Sequence, residues 1–373
     1  MRLVQLAAYD GPYPGSTIPM VRAAALAARE HGWETEAVFA ETARERPWLR
    51  SLQADGIRVR ILERSSRRVL AGRLGALLAE RPDEPTILHT HFTVYDVPAV
   101  LAARGRRDCA VVWHLHTPPE ARPSVRARNL VKFSLYGRRV GAILCVAPHL
   151  AALVGRMAPR GRTRFFPNGI DTAEFAPTTA ERREAARAEL GVPDNGAVLA
   201  HLGWDWSVKG GDILLEAVHA LREQGRPVVA ITRAGDPEAA VADRDRLGLG
   251  DAVRVLGQVD RIQSVYEAAD VFVSSSRKEG MPFAVLEALL SGVPVVASDI
   301  PGHALIADRF PGCRLVPGDP AGVARGIADV LDTDREELAL QTSEGARLIR
   351  ERMGLEAWTA RLFELYGGLL PER

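Results

Sequence analysis

The clearest structural signal in the sequence is VFVSSSRKEGMPFAVLE, residues 271–287. An apolar run, Val271–Ser275, leads into a short polar loop with a glycine, and a helical pattern follows that we predict over Pro282–Ser291. Proline suits the first position of a helix, because its missing N–H costs nothing there. The backbone amides of Met281 to Ala284 would then point out of the helix N-terminus, where they favour an anion.

Two carboxylates flank this predicted anion site. Glu279 lies in the loop, and Glu287 follows about five residues into the helix, roughly 7–8 Å along its axis. Carboxylates that faced a phosphate would repel it. We therefore expect each to accept hydrogen bonds from hydroxyls beside that phosphate, a ribose at one end and a hexose at the other. A plain helix N-terminus with a favourable dipole interaction for Glu279 accounts for the same residues, and the sequence leaves both interpretations open.

A second strand-loop-helix unit contains the loop GWDWSVKGG, residues 203–211. Lysine is rare in this chain, because only Lys132, Lys209 and Lys278 are lysines among 48 Lys and Arg residues. An ammonium beside two glycines, at the carboxyl edge of a parallel strand, suits a pyrophosphate oxygen. Lys209 is therefore a candidate diphosphate ligand, with a solvated loop lysine as the alternative.

The same alternation of short apolar runs and helical patterns continues along most of the chain. Continuous apolar runs are typical of strands buried on both faces of a parallel sheet. We predict strands at Leu3–Ala8, Ile87–His91, Ala110–His116, Ala142–Val146, Val198–Leu202, Val228–Thr232, Val253–Leu256, Val271–Ser275 and Val293–Ala297. Helices at Met20–Glu30 and Gly211–Gln224 complete the pattern, which indicates doubly wound α/β architecture with right-handed crossovers.

The alternation pauses between about residues 166 and 195, in a polar passage rich in Pro, Ala, Glu and Arg. We place the domain junction there, which gives one domain over residues 1–167 and a second over 168–354. An amphipathic helix, Leu355–Tyr366, begins a segment 355–373 that we expect to complete the first domain. Two α/β domains with a cleft between them would bring two carboxyl sheet edges together as a two-substrate site.

Composition excludes several classes of protein. The 373 residues carry a formal net charge of +1, so no overall field attracts nucleic acid. No apolar run approaches the ~20 residues that span a bilayer, and the N-terminus does not have the pattern of a signal peptide. Cys109, Cys145 and Cys313, the last placed in a loop, show no paired spacing. We interpret them as reduced thiols of a cytoplasmic protein rather than metal ligands.

One basic stretch, RPSVRARNLVKFSLYGRR at Arg122–Arg139, stands out from this balanced charge. It suits an anionic acceptor or peripheral contact with a membrane surface. A solvated helix face is the default interpretation of such a run.

Four histidines close two predicted strands, His89 and His91 in one and His114 and His116 in the other. Alternate residues of a strand face the same side. No carboxylate or cysteine pattern supports a metal site here, so we expect no metal. A single histidine that donates to a substrate hydroxyl or phosphate is favoured, and a structural role is the alternative.

The first loop, Asp10–Thr17, contains glycines but neither G-x-G-x-x-G nor the Lys-Ser/Thr ending of a P-loop. This disfavours a dinucleotide or P-loop nucleotide site. Gly15 would let a ligand approach the backbone, and Ser16 or Thr17 would cap the following helix.

These motifs together resemble the retaining glycosyltransferases of family 4, which have the GT-B fold of two Rossmann-like domains. The resemblance covers almost the whole chain and is most specific in the E-x7-E pattern of Glu279–Glu287. It extends to the loop at Lys209–Gly210, to Asn168–Asp171, to Ala297–Gly302 and to the C-terminal helix that returns to the first domain.

The resemblance implies a role for each site residue. Glu287 resembles the carboxylate that holds the nucleotide ribose, and Glu279 the one that contacts donor-sugar hydroxyls. Lys209 resembles the diphosphate lysine. His116, which Thr117 follows as in relatives, is similar to the histidine near the reacting sugar. The backbone near sugar and phosphate would be that of Gly280, Met281, Pro282 and Phe283, together with Gly15.

In the loop that carries Lys209, which we call the lysine loop, the family pattern reads Gly-Arg-x-x-x-x-Lys-Gly. This chain departs from the pattern at one position, because Trp204 occupies the place of the arginine. Arg233 at the end of the next strand is a candidate replacement, and Lys278 is another. Trp204 itself would stack on a base or sugar, or lie buried in the core; we favour the buried position.

The function that the resemblance implies is retaining transfer of a sugar from a nucleoside diphosphate sugar to an acceptor hydroxyl. We favour a UDP-sugar as the donor, and the sequence leaves GDP- and ADP-sugars open. Donor and acceptor would be small molecules, with no nucleic acid partner and no required metal or other cofactor. The oligomeric state is left open. The alternatives are a related GT-B enzyme, such as a sugar phosphorylase or a nucleotide-sugar epimerase, and a non-catalytic nucleotide-sugar-binding protein.

Overall fold

The structure is a computed structural model that describes residues 1–117, 123–193 and 196–369. The chain forms two compact units, the first comprising Met1–Asp171 with Met353–Arg373 and the second Thr172–Arg352. The sequence analysis placed these boundaries after residues 167 and 354. Arg122 of the basic stretch and residues 370–373 of the predicted C-terminal segment lie outside the described residues.

The first unit is built on a parallel sheet of seven strands in the order β3-β2-β1-β4-β5-β6-β7. The strands are β1 (Arg2–Ala7), β2 (Glu34–Ala40), β3 (Arg58–Leu62), β4 (Thr86–His91), β5 (Cys109–Leu115), β6 (Ala142–Cys145) and β7 (Thr163–Phe165). The order along the sheet reverses between β1 and β4. Crossovers leave in opposite directions at such a reversal, which opens a crevice at the carboxyl ends of these two strands.

Helices cover the first sheet. They are α1 (Thr17–Glu30), α2 (Trp48–Ala54), α3 (Arg67–Ala79), α4 (Asp96–Ala102), α5 (Pro123–Leu135) and α6 (Pro148–Gly155). Part of the core packs α1 and α2 against β2 through Val21, Ala25, Phe39, Trp48 and Leu52, which are all buried.

The last helix of the chain also belongs to the first unit. We number it α16 (Leu355–Gly367), after the nine helices α7 to α15 of the second unit given below. Trp358 on α16 is fully buried. A Cβ on Gly169 would lie 2.6 Å from the Trp358 ring, so this close approach requires glycine. Ile170 also forms a parallel bridge with Gly354, just before α16.

The second unit is built on a parallel sheet of six strands in the order β10-β9-β8-β11-β12-β13. The strands are β8 (Ala197–Gly203), β9 (Val228–Ala234), β10 (Val253–Leu256), β11 (Val271–Ser274), β12 (Val295–Ser298) and β13 (Cys313–Val316). The strand order reverses between β8 and β11, which places the crevice of this sheet at their carboxyl ends.

In the described part of the second unit, nine helices precede α16. They are α7 (Ala180–Glu189), α8 (Trp206–Lys209), α9 (Gly211–Glu223), α10 (Pro237–Arg246), α11 (Gln263–Ala268), α12 (Phe283–Leu290), α13 (Pro301–Ala307), α14 (Pro320–Asp332) and α15 (Arg335–Met353). The core lies between α9, α14 and the sheet, where Leu214, Val218, Val273, Val296 and Ile327 are buried.

The predicted fold class, doubly wound α/β with two Rossmann-like parallel sheets, is confirmed. Four strands were not predicted, namely β2, β3, β7 and β13. All four lie at or next to a sheet edge and carry charged residues, so they do not read as apolar runs. The passage interpreted as a pause in the alternation contains α7. Cys313 begins β13, so its placement in a loop was wrong.

No helix within the described residues is both long enough and apolar enough to span a membrane.

Candidate functional site

The candidate site of the second unit lies where its strand order reverses. The connection after β8 carries Lys209, at the end of the short helix α8, and the loop after β11 carries Glu279. Because β8 and β11 are neighbours in the sheet, the two loops meet at its carboxyl edge. The two motifs singled out in the sequence are thereby brought together by topology.

Lys209 and Glu279 form an ion pair in which Nζ lies 2.5 Å from Oε1. The hydroxyl of Ser276 donates to the same oxygen at 2.9 Å. Both charged side chains are mostly but not completely buried. The pair therefore holds an ammonium and a carboxylate side by side at the surface of the crevice, within reach of a ligand that has both acidic oxygens and hydroxyl groups.

A buried histidine that the sequence analysis did not single out fixes the backbone of the lysine loop. His201 on β8 bonds the carbonyl of Lys209 through Nε2 at 3.2 Å, and its Nδ1 contacts the Thr232 hydroxyl at 2.9 Å. A carbonyl only accepts, so Nε2 carries the proton and Nδ1 accepts from threonine. Burial lowers the pKa of His201 to about 4, which keeps this tautomer neutral.

The two glycines after Lys209 are required by packing. Gly210 has a φ of +67°, and a Cβ there would lie 2.1 Å from the carbonyl oxygen of Ser275. A Cβ on Gly211 would lie 2.3 Å from the ring of Trp206. Glycine thus lets the lysine loop lie directly against the end of β11.

A third segment, at the start of α13, packs against Glu279. A Cβ on Gly302, in α13, would lie 2.7 Å from Glu279 Cβ and 2.8 Å from its carbonyl oxygen. The next residue, His303, is buried and bonds the Ser274 hydroxyl at 2.8 Å and the Ser298 carbonyl at 2.7 Å. The Ala297–Gly302 motif therefore forms the surface on which the Glu279 backbone rests.

The helix after Glu279 begins one residue later than predicted. Pro282 is the N-cap with extended backbone, so it does not occupy the first helical position, and α12 begins at Phe283. The free amides of the first turn are those of Phe283, Ala284 and Val285. The predicted helix N-terminus is present with this change, because the missing N–H of proline lies just outside the helix; anion binding there stays a prediction.

Glu287 lies one turn into α12 and is 8% exposed. The Tyr266 hydroxyl donates to its Oε2 at 2.5 Å. Burial, with Glu287 alongside, raises the pKa of Tyr266 well above its usual value, so tyrosine remains the donor. Tyr266, on α11, orients the carboxylate and was not identified from the sequence.

The remaining residues of this loop differ in exposure. Gly280 and Met281 are buried and Phe283 is half-buried, while Lys278 is exposed. Arg277, beside Lys278, pairs with both oxygens of Asp212 at 2.8 and 2.6 Å. The loop is thus tied to α9 through Arg277.

The substituted position, Trp204, is 42% exposed, so the preference for a buried core tryptophan was wrong. The guanidinium of Arg233 lies 4.0 Å from the centre of its ring, a short cation–π contact. The backbones also meet, because Gly235 N–H donates to the Gly203 carbonyl at 3.0 Å. Arg233, the candidate replacement for the missing arginine, is therefore held directly over the residue that took its place.

In the first unit, the four histidines form one stack of rings at the end of β4 and β5. Ring centres are 4.4 Å apart for His89 and His91 and 4.3 Å apart for His114 and His116. His91 Nδ1 lies 3.2 Å from His116 Nε2, and His89 Nδ1 lies 2.5 Å from the Tyr366 hydroxyl on α16. The predicted common orientation of these side chains is therefore observed.

Burial sets the charge of this histidine stack. It lowers the pKa of His89 to about 3 and of His116 to about 4. Burial also lowers the pKa of His91 and His114 well below the usual value. All four imidazoles are therefore neutral near pH 7, and His116 can accept or donate a hydrogen bond without carrying charge.

Three of these residues, His89, His91 and His114, each bring one nitrogen to within 4.8 Å of the others, as a metal site would require. Imidazole binds a metal in the plane of its ring, so the nitrogens of several ligands must converge. Here the rings of His89 and His114 are only 12° from parallel. The arrangement matches ring packing better than convergence on one ion.

The glycine loop of the first unit wraps around Tyr9. Gly15 has a φ of +50°, and a Cβ there would lie 2.9 Å from the Tyr9 hydroxyl, which donates to the Tyr13 carbonyl. Ser16 occupies the N-cap position of α1, but its side chain does not form the predicted capping hydrogen bond.

Phe92 is the one non-glycine residue with positive φ, +66°, in the parts of the chain described, and its ring contacts His116. Such strain in a bulky residue is typical of functional sites, and no sequence signal pointed to it.

Two family comparisons together span most of the chain. Residues 20–174 match glycosyltransferase family 4, and residues 196–333 match the glycosyl transferases of group 1.

Similar proteins of known sequence carry the name D-inositol 3-phosphate glycosyltransferase. The one from Saccharomonospora viridis is 30% identical over 80% of this chain and 68% of its own length. The one from Salinispora arenicola is 28% identical over 80% of this chain. The chain spans 66%, 51% and 63% of the length of three such relatives, from Salinispora arenicola, Corynebacterium urealyticum and Salinispora tropica.

Solved structures share the fold at low identity. Anabaena Alr3699/HepE, determined in complex with UDP, has a TM-score of 0.83 at 20% identity and covers 99% of this chain and 100% of its own. Sucrose-phosphate synthase from Thermosynechococcus elongatus has a TM-score of 0.76 at 19% identity, with 99% of each chain covered. These likenesses confirm the predicted fold class.

The histidine stack predicts that stability falls in mild acid. Unfolded histidines titrate near ~6.5, whereas His89 and His116 in the fold titrate at about 3 and about 4. Between these values the unfolded chain binds more protons, so the free energy of unfolding decreases as pH falls. We expect a loss of about 1.4 kcal/mol for each of these two histidines at one pH unit below 6.5, measured by urea denaturation.

His89→Gln should reduce this pH dependence by about the contribution of one histidine. His219→Gln, a half-buried histidine of α9 outside the stack, serves as the control and should leave it unchanged. Equal pH dependence in His89→Gln and the unaltered chain would contradict the explanation.

Proposed function

The chain belongs to the glycosyltransferases of family 4, and from this membership we propose that it transfers a sugar from a nucleoside diphosphate sugar to an acceptor hydroxyl. The proposed donor is a UDP-sugar, and the proposed outcome is retention of configuration at the transferred carbon. The observation that carries the proposal is the Lys209–Glu279 pair at the reversal of strand order.

A nucleotide sugar offers this pair two different chemical groups in sequence. Its diphosphate requires a cation, and the sugar attached to that diphosphate presents hydroxyls that a carboxylate can accept from. Lys209 and Glu279 are already in contact at 2.5 Å, so one ligand can engage both at the junction between phosphate and sugar. The amides at the start of α12 add a second source of positive potential for the phosphates.

The other end of the donor would lie toward Glu287. Its carboxylate is buried one turn into α12 and held by Tyr266, as expected of a group that receives the two hydroxyls of a ribose. A fixed carboxylate loses less conformational entropy on binding than a mobile one. We assign the ribose to Glu287 and the donor-sugar hydroxyls to Glu279. The backbone of Gly280, Met281, Pro282 and Phe283 is assigned to the region between them.

Retention follows if the acceptor attacks the face that the diphosphate leaves. The bond from the sugar carbon to the phosphate oxygen breaks, and the bond to the acceptor oxygen forms on the same face. The acceptor proton passes to the departing phosphate. Catalysis then rests on positioning and on charge stabilisation at the leaving group, which Lys209 and the α12 amides provide without a metal ion.

Two residues of the first unit belong to the proposal by resemblance. His116 is assigned to the reacting sugar, where a neutral imidazole can bond a hydroxyl, and burial gives it that state by lowering its pKa to about 4. Gly15 is assigned to the approach of donor phosphate and acceptor to the backbone. The name of the relatives makes D-inositol 3-phosphate the first acceptor to test.

Arg233 completes the proposed charge of the diphosphate site. Stacking on Trp204 leaves the N–H groups of a guanidinium pointing outward in its own plane, because the ring occupies only its face. Nε of Arg233 is buried with no hydrogen-bond partner among the described residues, so the stacking contact, with one bond from Nη1 to the Ala234 carbonyl, positions the side chain. Trp204 thus serves as the platform for a cation supplied by the neighbouring strand. Lys278 is exposed in the adjacent loop and is assigned a weaker electrostatic contribution.

The donor proposal predicts that UDP and UDP-glucose raise the melting temperature more than GDP or ADP. A ligand at about 100 times its Kd stabilises a protein by about 2.7 kcal/mol.

Lys209→Met should weaken UDP binding by about 10- to 100-fold, since hydrogen bonds to charged groups contribute about 1.5–3 kcal/mol. Glu279→Gln should retain UDP binding but abolish the slow hydrolysis of UDP-glucose to UDP and glucose.

The matched control for these variants is the exposed ion pair Arg226–Asp332. Arg226 directly precedes β9, so it lies at the amino edge of the sheet, opposite the edge that carries Lys209. Arg226→Met and Asp332→Asn should change neither UDP binding nor hydrolysis. No stabilisation by any nucleoside diphosphate would contradict the donor assignment. Turnover that requires inorganic phosphate, or an epimerised UDP-sugar as product, would favour the phosphorylase or epimerase alternative.

The Trp204–Arg233 contact predicts that Arg233→Gln raises the Kd for UDP by about tenfold or more, because a charge-assisted hydrogen bond is lost. Trp204→Leu should raise it by about two- to fivefold, through loss of the cation–π contact. Trp204→Arg in the Arg233→Gln background should restore binding, because it returns a cation to the same place. Unchanged UDP affinity in Arg233→Gln would show that this arginine has no part in the site.

The support beneath Glu279 predicts a loss of turnover in Gly302→Ala. The new Cβ would lie 2.7 Å from Glu279 Cβ and 2.8 Å from the Glu279 carbonyl oxygen, so Glu279 must shift, and displacement of a reacting group by ~1 Å costs about 100-fold in rate. Gly257→Ala has open space around its Cβ and should retain turnover. Equal rates of UDP-glucose hydrolysis in the two variants would refute this role of Gly302.

A further inference from the structure

The surface of α5 and of the turn that follows it, residues 123–139, is one-sided in charge. This segment contains five cations, Arg126, Arg128, Lys132, Arg138 and Arg139, and no acidic residue. The whole chain carries a net charge of only +1. The positive potential is therefore concentrated on one helix rather than spread over the molecule.

One face of α5 is fastened to the first unit. Phe133 is buried, with its ring centre 6.0 Å from that of Trp113. Lys132 Nζ lies 2.5 Å from Oδ2 of the buried Asp96 and 5.1 Å from the centre of the Trp113 ring. Lys132 forms an ion pair inside the unit. Together with the buried Phe133, this contact determines which side of α5 faces outward.

The outward face is apolar where a solvated basic helix would be polar. Leu130, Val131 and Leu135 are 53%, 54% and 55% exposed. At 100° per residue Val131 and Leu135 lie about 160° from Phe133, and Leu130 and Ala127 lie on one flank between, about 60° and 120° from Phe133.

Arginines border this apolar strip. Arg126 lies on one side of it and Arg128 on the other, both exposed, and Arg138 and Arg139 extend the basic border beyond the end of the helix. Apolar residues between arginines, on a helix that lies flat against its domain, are the pattern of interfacial helices.

We propose that α5 docks the first unit on an anionic lipid bilayer. Leu130, Val131 and Leu135 enter the boundary between headgroups and acyl chains, and the bordering arginines bind lipid phosphates. The apolar strip favours a bilayer over a soluble polyanion, which would use the arginines but gain nothing from exposed leucine and valine. This inference is independent of the donor site and of the proposed transfer reaction.

The test is co-sedimentation of the full chain with vesicles of phosphatidylcholine alone and of phosphatidylcholine mixed with phosphatidylglycerol. We expect binding to the anionic vesicles only, weakening as salt increases. Because one cation near an anionic surface contributes about 1 kcal/mol, Arg126→Gln and Arg128→Gln should each weaken binding by about fivefold. The triple change Leu130→Ser, Val131→Ser and Leu135→Ser should weaken it by at least as much.

The matched control is Leu340→Ser on α15 in the second unit, a leucine that is 72% exposed, and it should bind vesicles as the unaltered chain does. All substituted residues are exposed, so melting temperatures should stay unchanged. Absence of binding to anionic vesicles at low salt would overturn the proposal. Heparin, a soluble polyanion, serves as a second probe of purely electrostatic binding. If the triple serine variant binds anionic vesicles as well as the unaltered chain does, just as it binds heparin, adsorption is purely electrostatic and the proposal is overturned.

Discussion

The candidate site depends on a constraint of topology, the reversal of strand order between β8 and β11. Right-handed crossovers place helices on both faces of a parallel sheet, and only at such a reversal do two neighbouring strands send their connections to opposite faces. The gap that results lies at the carboxyl ends of β8 and β11. Lys209 and Glu279 are 70 residues apart in sequence, and their contact at 2.5 Å exists because each occupies the first loop beyond one of these strands.

Close backbone packing then converts that gap into a fixed geometry. Gly210 lets the lysine loop touch the end of β11, and Gly302 lets α13 touch the backbone of Glu279. A β-carbon at either position would meet backbone atoms, which cannot move aside as the end of a flexible side chain can. The carboxylate and the ammonium are therefore located by main-chain contacts, while Ser276 sets the final direction of Glu279. Such preorganisation is what electrostatic stabilisation of a leaving group requires.

The sequence predicted the parts of this arrangement that are local and missed those that depend on distant contacts. Buried strands such as β8 and β11 are continuous apolar runs and were identified, whereas β3 and β7 at the sheet edges carry arginines and were not. The two motif loops could be placed at strand ends from pattern alone. Tyr266 could not be linked to Glu287, because α11 has no motif of its own and the hydroxyl reaches the carboxylate only through packing. Trp204 was expected in the core, since tryptophan is usually buried; the cation that covers its ring comes from another strand.

Two of the three lysines form ion pairs whose geometry differs from that of the arginine pairs. In a chain whose cations are almost all arginine, Lys132 and Lys209 each place a single ammonium 2.5 Å from one carboxylate oxygen of Asp96 or Glu279. Arginine prefers planar, two-point contacts, as Arg277 makes with both oxygens of Asp212, and its fork would occupy both oxygens of the carboxylate it meets. At Glu279 that would take up the acceptor needed for a sugar hydroxyl. A point charge on a flexible stem instead neutralises one oxygen and can turn toward a phosphate, so lysine at position 209 is a requirement of the chemistry we propose.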